Sequence, residues 1–252
     1  MAFGILGLFA RRPAAELTDG KVSPKRKLIV LHTPKCGGTS LFASLNGAFG
    51  SSQIYRDYRQ GGDEKVASVD EITRPIIYGH FRAKKYENVE NATWVTLLRD
   101  PIDRMMSLYF NWRFSPINPL KNRVSSIRRD VRLGKMSLVE FAALPNMSNR
   151  MSQAFFYDFD MTRFKFIILQ DNYDEGVRQF SEWLGTPLQV ETKNVSSSRS
   201  KAYENARRRV MADAEAMRQL EKILAKDIAF YERCVQLPSA VRRGKKADPS
   251  SA

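Results

Sequence analysis

The chain has 252 residues, 43% of them hydrophobic, which is enough for one sizeable α/β domain. It contains only two cysteines and two histidines, so neither a disulfide framework nor a histidine metal cluster is expected, and a reducing compartment is the simpler assumption. The net charge of +14 favours anionic ligands, but charge alone does not choose among nucleotides, acidic polysaccharide, nucleic acid and an anionic membrane.

The two ends of the chain are predicted to be flexible basic segments, residues 1–26 and 238–252, flanking a single domain over 27–237. The opening MAFGILGLFARR lacks a preceding charge and a following cleavage site, which argues against a secretory signal. A frayed N-terminus is the simpler interpretation, and peripheral membrane contact through residues 1–12 is the alternative. No apolar run approaches the roughly 20 residues that span a bilayer. We therefore expect a protein of the bacterial cytoplasm, at most at the inner face of the membrane.

The first predicted unit is a strand at 27–31, a polar turn, and a helix within SLFASLNGAF. The turn suits phosphate, because its glycines let the backbone approach phosphate oxygens, its hydroxyls lie in the first helical turn and its lysine adds a mobile cation. It departs from the triphosphatase pattern G-x-x-x-x-G-K-[ST], since the lysine precedes the glycines. The predicted anion-binding residues of this turn are Lys35, Cys36, Gly37, Gly38, Thr39 and Ser40.

Two further predicted strands end in polar residues. The strand that starts at Pro75 ends at His80, and the strand over 93–98 stops at Arg99. Ligands of α/β sheets bind beyond the carboxyl ends of the strands, next to the N-termini of helices. The turn, His80 and Arg99 are therefore predicted to lie together.

A helix is predicted directly after Arg99, because Asp100 can cap it and Pro101 suits its first position. Asp103 and Arg104 are expected to form a pair on its surface.

The rest of the chain continues the alternation of strands and helices, which favours a mostly parallel sheet covered on both faces. Residues 116–135 are rich in Lys and Arg and are predicted to be a basic insertion or lid, with a solvated face and a grip on an anionic glycan both open. The other predicted elements are a polar connection over 51–72, helices over 137–144, 148–157, 173–184 and much of 202–231, and a fourth strand from Lys165.

Several stretches resemble carbohydrate-type sulfotransferases, a family of Golgi-like and bacterial enzymes. LHTPKCGGTSL is similar to the loop that binds the 5′-phosphosulfate of the donor, and VTLLRDPIDRMMSLYF to the strand and helix that bind its 3′-phosphate. KFIILQDNYDEGVRQFSEWLG and AKDIAFYERC are similar to the C-terminal half of the family. The resemblance covers about Lys27 to Cys234.

The resemblance implies a P-loop-like three-layer fold with a mostly parallel central sheet. It also implies 3′-phosphoadenosine 5′-phosphosulfate (PAPS) as donor, no metal, and transfer of the sulfuryl group to a hydroxyl or amine. We expect direct in-line transfer to a hydroxyl of a carbohydrate or glycolipid. A lysine ahead of the glycines, Lys35, can reach the bridging oxygen on which negative charge grows. Arg99 and Ser107, eight residues apart, can converge on the 3′-phosphate.

The acceptor needs a base, and some members of the family have a catalytic histidine in a Gly-His element similar to that of His80. The alternative is a structural histidine at a strand end. His32 is interpreted as a packing residue, and Cys36 as a small spacer rather than a nucleophile. A carboxylate also stays open as the base, the candidates being Asp63, Glu64 and Glu71.

Two other groups of residues are candidates for binding. The loop NVSSSRS resembles the family loop that closes over the nucleotide, so Arg199, with Ser197 and Lys201 nearby, is predicted to contact the 3′-phosphate region. A merely solvated loop fits equally well. Acceptor contacts are predicted at Asn149, Arg150 and Gln153.

Two alternative functions remain at this point. A P-loop kinase acting on a small molecule would require Mg²⁺ and ignore a 3′-phosphate. A basic nucleic-acid-binding protein with a degenerate nucleotide fold would show steeply salt-dependent affinity, but no zinc module or aromatic sheet supports it, and no specific nucleic acid is expected.

Overall fold

A six-stranded sheet forms the centre of the molecule, as seen in a computed structural model that describes residues 26–58, 72–114, 126–189 and 201–241. The strands are β1 (Leu28–His32), β2 (Ile54–Asp57), β3 (Ile76–Gly79), β4 (Thr93–Leu98), β5 (Phe164–Leu169) and β6 (Ala240–Val241). Their order is β2-β3-β1-β4-β5-β6, and every neighbouring pair is parallel. The carboxyl ends of all six strands therefore lie at one edge of the sheet.

The central strand β1 explains why the sheet is covered on both faces. All five of its residues are buried, and successive side chains point to opposite sides. Ile29 and Leu31 belong to one apolar cluster, whereas Leu28 and Val30 belong to another. Such a strand, apolar on both faces, is typical of parallel sheets between two helical layers.

Eight α-helices surround the sheet among the described residues. They are α1 (Gly38–Phe49), α2 (Pro101–Phe114), α3 (Ser126–Leu133), α4 (Leu138–Ala143), α5 (Tyr173–Leu184), α6 (Lys201–Ala212), α7 (Ala214–Ile223) and α8 (Ala225–Gln236). One face of the sheet packs against α1 and α5, and the other against α8 and a π-helical turn at Met151–Phe155. This arrangement confirms the predicted three-layer α/β fold.

A third apolar cluster joins five of the helices beside the sheet, namely α2, α3, α4, α6 and α7. Arg113 of α2 donates hydrogen bonds to the carbonyl oxygens of Val131 (2.9 Å) and Arg132 (2.7 Å), which fastens α3 to the second half of α2. The described part of the predicted basic insertion is thus a packed helix. Its role as a lid stays a prediction, and residues 115–125 lie outside the described residues.

The structure differs from the sequence-based elements in four places. Strand β2 lies where we expected a polar connection with weak helix, and β6 lies where we expected no regular structure. The helix predicted over 148–157 is only the π-helical turn, preceded by Asn149 with φ of 48°. The helical region after 201 is divided into three helices, the second capped by Asp213.

The described residues contain no helix that is long and apolar enough to cross a membrane. The remaining N-terminal and C-terminal predictions fall on residues 1–25 and 242–252, outside the described parts of the chain.

Candidate active site

The turn between β1 and α1 has two positions, Gly37 and Gly38, at which a side chain does not fit. Gly37 precedes the first residue of α1 with φ of 88°, in the left-handed region that favours glycine. A Cβ on Gly37 would lie 3.2 Å from the ring of Tyr173, and a Cβ on Gly38 would lie 2.0 Å from Nδ1 of His32. The glycines therefore bring the backbone into close contact with two rings. The amides of Gly38 and Thr39 precede the first hydrogen bond of α1, which the amide of Ser40 makes, so they can bind an anion.

Lys35 and Cys36 have different environments in this turn. Lys35 is half-buried with φ of 74°, and its carbonyl oxygen lies 3.5 Å from Nη1 of Arg99. Cys36 is fully buried, and its Sγ lies 2.8 Å from Oγ1 of Thr33. Burial raises the pKa of the Cys36 thiol, which keeps it protonated. Cys36 thus has the properties of the expected spacer, and only its backbone could contact a ligand.

The two hydroxyl residues of the turn differ in exposure. Thr39 is exposed and Ser40 is buried. The amide of Ser40 bonds to the carbonyl oxygen of Gly37, which closes the first turn of α1.

The two histidines of the chain meet at the ends of β1 and β3. Nε2 of His80 lies 3.2 Å from Nδ1 of His32, and their ring centroids are 4.2 Å apart. Burial, and then the nearby Arg150, lower the pKa of His80 to about 4. Burial, and then His80, lower the pKa of His32 to about 3. Both rings are therefore neutral at neutral pH, and neutral imidazole is the form that accepts a proton.

Arg99 lies at the end of β4, beside the turn. Its side chain is 13% exposed, and Nη2 lies 3.8 Å from Oδ2 of Asp103. Asp103 also accepts a hydrogen bond from Nη2 of Arg207 on α6, at 2.6 Å. Ser107 is buried four residues after Asp103, hence on the same side of α2. Arg99 thus pairs with the side of α2 on which Ser107 lies, and the convergence of the two residues on a 3′-phosphate stays a prediction.

The three residues predicted to contact the acceptor lie in and just before the π-helical turn, and their environments differ. The amide of Asn149 donates to the carbonyl oxygen of Ile223 (3.0 Å) and accepts from the amide of Asp227 (3.1 Å), which favours a structural role. Gln153 is exposed and lines a groove of about 610 Å³ beside α8. Of the three predicted residues, Arg150 is the one whose charge acts on His80.

The groove beside α8 is distinct from the strand ends. It is lined in part by Phe159, whose ring packs against Trp94 at the start of β4. The start of a strand is the edge opposite to the one where the histidines meet. The groove is therefore not the continuation of the candidate site.

A buried ion pair behind the site was missed in the sequence. Nη2 of Arg104 lies 3.6 Å from Oδ2 of Asp227, and both side chains are at most 1% exposed. The expectation of a surface pair is wrong for Arg104. Its position three residues after the buried Pro101 and directly before the buried Met105 places it on the apolar face of α2, which is the signal that could have revealed it.

Two other residues near His80 were not predicted. The ring of Tyr58, 36% exposed at the end of β2, stands edge-on to His80 with centroids 4.9 Å apart. The guanidinium carbon of Arg56 lies 5.1 Å from the centroid of the Tyr58 ring. Strand β2 was itself missed, so nothing placed these residues at the site.

The remaining predicted residues lie at the start of α6 or outside the described parts of the chain. Lys201 is the exposed first residue of α6. The others lie outside the described residues and keep their predicted roles, namely Asp63, Glu64, Glu71, Ser197 and Arg199. Within the parts of the chain that are described, no three His, Cys, Asp or Glu side chains are grouped as metal ligands.

Residues 19–232 match the model of a protein family described as the sulfotransferase family. A search of curated proteins gives no match. Among solved structures, the chain is similar to a sulfotransferase from Alicyclobacillus acidocaldarius, with 17% identity and a TM-score of 0.39 over 82% of this chain and 99% of that chain. It is also similar to the mouse sulfotransferase SULT7A1 complexed with PAP, with 10% identity and a TM-score of 0.34 over 82% of this chain and 95% of that chain.

Proposed function

Because the chain belongs to the sulfotransferase family, we propose that it transfers the sulfuryl group of PAPS to a hydroxyl group of a carbohydrate or glycolipid. The observation that carries this proposal is the adjacency of β3, β1 and β4 in the sheet. Their carboxyl ends bring His80, the glycine turn and Arg99 to one edge. A base, an anion-binding turn and a second cation are the groups that this reaction needs.

The residues at this edge fit the donor. Gly37 and Gly38 have no Cβ, and the rings of Tyr173 and His32 fill the positions that a Cβ would take, so the backbone of the turn after β1 packs closely on both rings. The amides from Gly37 to Thr39 and the hydroxyls of Thr39 and Ser40, together with Lys35, would hold the 5′-phosphosulfate. Arg99 and Ser107 would hold the 3′-phosphate, the former by paired charged hydrogen bonds. The bound donor supplies the sulfuryl group.

The transfer is a direct displacement at sulfur. The acceptor oxygen forms a new bond to sulfur while the bond from sulfur to the bridging oxygen breaks, and its electron pair stays on the 5′-phosphate. Lys35 stabilises the charge that grows on the bridging oxygen. The acceptor proton passes to His80. No covalent enzyme intermediate is needed, and the buried protonated thiol of Cys36 is unsuited to form one.

The surroundings of His80 support a sugar as acceptor. Tyr58 presents a partly exposed ring next to His80, and the guanidinium of Arg56 lies over that ring. An aromatic ring offers an apolar face and a polar edge, which suits the C–H faces and hydroxyls of a sugar. The cytoplasmic location and a membrane contact through residues 1–12 remain predictions.

Calorimetric titration with adenosine 3′,5′-bisphosphate in the absence of metal tests the proposal. We expect binding that weakens about 10- to 100-fold in Arg99→Ala, because hydrogen bonds to charged groups contribute about 1.5–3 kcal/mol. Arg129→Ala, on the exposed side of α3, is the matched control for loss of one positive charge and should bind like the native protein.

Two outcomes would contradict the proposal in different ways. Tighter binding of ATP with Mg²⁺ than of the bisphosphate would favour the kinase alternative. Bisphosphate binding that is unchanged in Arg99→Ala would place the 3′-phosphate elsewhere. Transfer of labelled sulfate from PAPS to a panel of oligosaccharides and glycolipids then identifies the acceptor.

A further inference from the structure

The contact between the two histidines constrains where protons can reside. The titratable groups described around the pair are Tyr58, Tyr78 and Arg150, none of which is a carboxylate. The Phe155 ring also packs against His80, and the backbone of Thr33 lies near the His32 ring. The carboxylate at the end of the neighbouring strand, that of Asp57, is held by Lys85 and by the Tyr86 hydroxyl at 2.8 Å. His80 therefore has no described carboxylate partner of the kind that orients a catalytic histidine in other enzymes.

A hydrogen bond between two neutral imidazoles needs one N–H and one lone pair. If His80 donates from Nε2 to Nδ1 of His32, then Nδ1 of His80 is unprotonated and can take a proton. If His32 donates instead, Nδ1 of His80 already carries hydrogen and cannot act as a base. Only the first arrangement allows His80 to react.

We propose that His32 is a positioning residue for sulfuryl transfer, whose Nδ1 accepts the Nε2 hydrogen of His80 and leaves Nδ1 of His80 free for the acceptor proton. This inference rests on the proposed function. When the acceptor proton arrives, His80 carries two N–H groups and a positive charge, and the lone pair of His32 accepts one of these hydrogens from the position that a carboxylate takes in other enzymes. In this arrangement the hydrogen of His32 is on Nε2, which is buried without a hydrogen-bond partner among the described residues. His32 therefore has no described group to which it could pass a proton, and the acceptor proton stays on His80.

His32 also connects the base to the donor-binding turn. Its ring occupies the space that a side chain at Gly38 would need, with Nδ1 2.0 Å from the position of such a Cβ. The ring of Tyr78 packs against that of His32 with centroids 5.0 Å apart, and the Tyr78 hydroxyl donates to the carbonyl oxygen of Gly38. These contacts fix the direction of Nδ1. The orientation of His80 therefore depends on the same residue that packs against the turn.

Nitrogen NMR of the ¹⁵N-labelled native protein tests the arrangement directly. The chain has only two histidines, so four ring nitrogens are observed, and His32→Asn assigns them. At pH 7 we expect hydrogen on Nε2 and a lone pair on Nδ1 of His80. Hydrogen on Nδ1 of His80 would overturn the proposal. This measurement needs no turnover, so it fails or succeeds independently of the proposed reaction.

A kinetic double-mutant cycle tests the role in transfer. His32→Leu should lower kcat about 10- to 100-fold, with unchanged KM for PAPS and unchanged affinity for adenosine 3′,5′-bisphosphate. His32→Asn, whose amide oxygen stands close to the position of Nδ1, should recover part of the loss. In a His80→Ala background the same His32→Leu change should have no further effect.

Thr96→Val is the matched control, because Thr96 is a buried polar residue of neighbouring β4 whose Oγ1 has no partner among the described residues. It should leave kcat unchanged. An equal loss from His32→Leu in both backgrounds, or no loss in the native background, would show that His32 only packs. Absence of bisphosphate binding in the native protein would instead contradict the proposed function.

Discussion

Burial and the Arg150 guanidinium both oppose a positive charge on the ring of His80, and together they lower its pKa to about 4. The guanidinium carbon of Arg150 lies 5.5 Å from the centroid of the Phe155 ring, which itself packs 6.5 Å from that of His80. At the scale of single residues, the acid–base behaviour of the site is therefore set by one cation and by exclusion of water. A base with a lowered pKa remains unprotonated over the physiological range.

Arg150→Met should raise the pKa of His80, because it removes the cation and leaves burial, the larger cause, in place. The shift is toward the ordinary value of 6.5 without reaching it. NMR titration of the two histidines measures the pKa, and the acidic limb of kcat/KM should move to higher pH by the same amount. Arg150→Lys keeps the charge and should leave the limb near its native position. An unchanged histidine titration in Arg150→Met would contradict this prediction.

At the scale of secondary structure, one carboxylate holds three elements together behind the site. Asp227, at the start of α8, accepts from the amides of Met151 (3.1 Å) and Ser152 (2.8 Å) and pairs with Arg104 of α2. These contacts fix the segment that carries Arg150. The pair lies in the interior, where an uncompensated charge is costly.

Asp227→Asn should therefore destabilise the protein by about 3–5 kcal/mol, because it leaves the Arg104 charge buried without its counter-ion. Adding Arg104→Met should restore part of that free energy of unfolding, since no buried charge then remains. Denaturant unfolding of the two single variants and the double variant measures the coupling. Strictly additive losses would show that the two side chains do not interact.

At the scale of the whole molecule, the order of the strands decides which loops meet. The chain leaves β1, forms β2 and β3 on one side, and then crosses to β4 on the other, so the ends of β3, β1 and β4 are neighbours. Where the strand order reverses beside a central strand, the loops on its two sides diverge, and ligands of parallel sheets bind in the crevice between them. A ligand there contacts segments far apart in sequence, and its binding stabilises the fold as a unit.

Adenosine 3′,5′-bisphosphate at 100 times its Kd should thus stabilise the native protein by about 2.7 kcal/mol. For a chain of this size this corresponds to a rise in Tm of about 5–10 °C. A thermal scan with and without the ligand measures it. At the same ligand concentration the rise should be much smaller in Arg99→Ala and undiminished in Arg129→Ala. No rise in the native protein would contradict the proposed donor site.

The sequence by itself determined the fold class and the local form of the loops that carry the site. Four of the six strands and the helices after Gly37 and Asp100 follow from apolar periodicity, glycine and capping residues, all of which act within a few residues. The two missed strands are short and take their stability from pairing with β3 and β5, which no local pattern records.

Only the tertiary structure decided which side chains meet. The contact of His32 with His80 joins residues 48 apart in sequence, and the pair of Arg104 with Asp227 joins α2 to α8. Sequence reasoning took Arg104 for a surface residue and named no partner for the buried His32, because each residue type was judged alone. Burial and partner are properties of the assembled chain. Long-range packing, through desolvation and proximity, therefore gives these residues their chemistry.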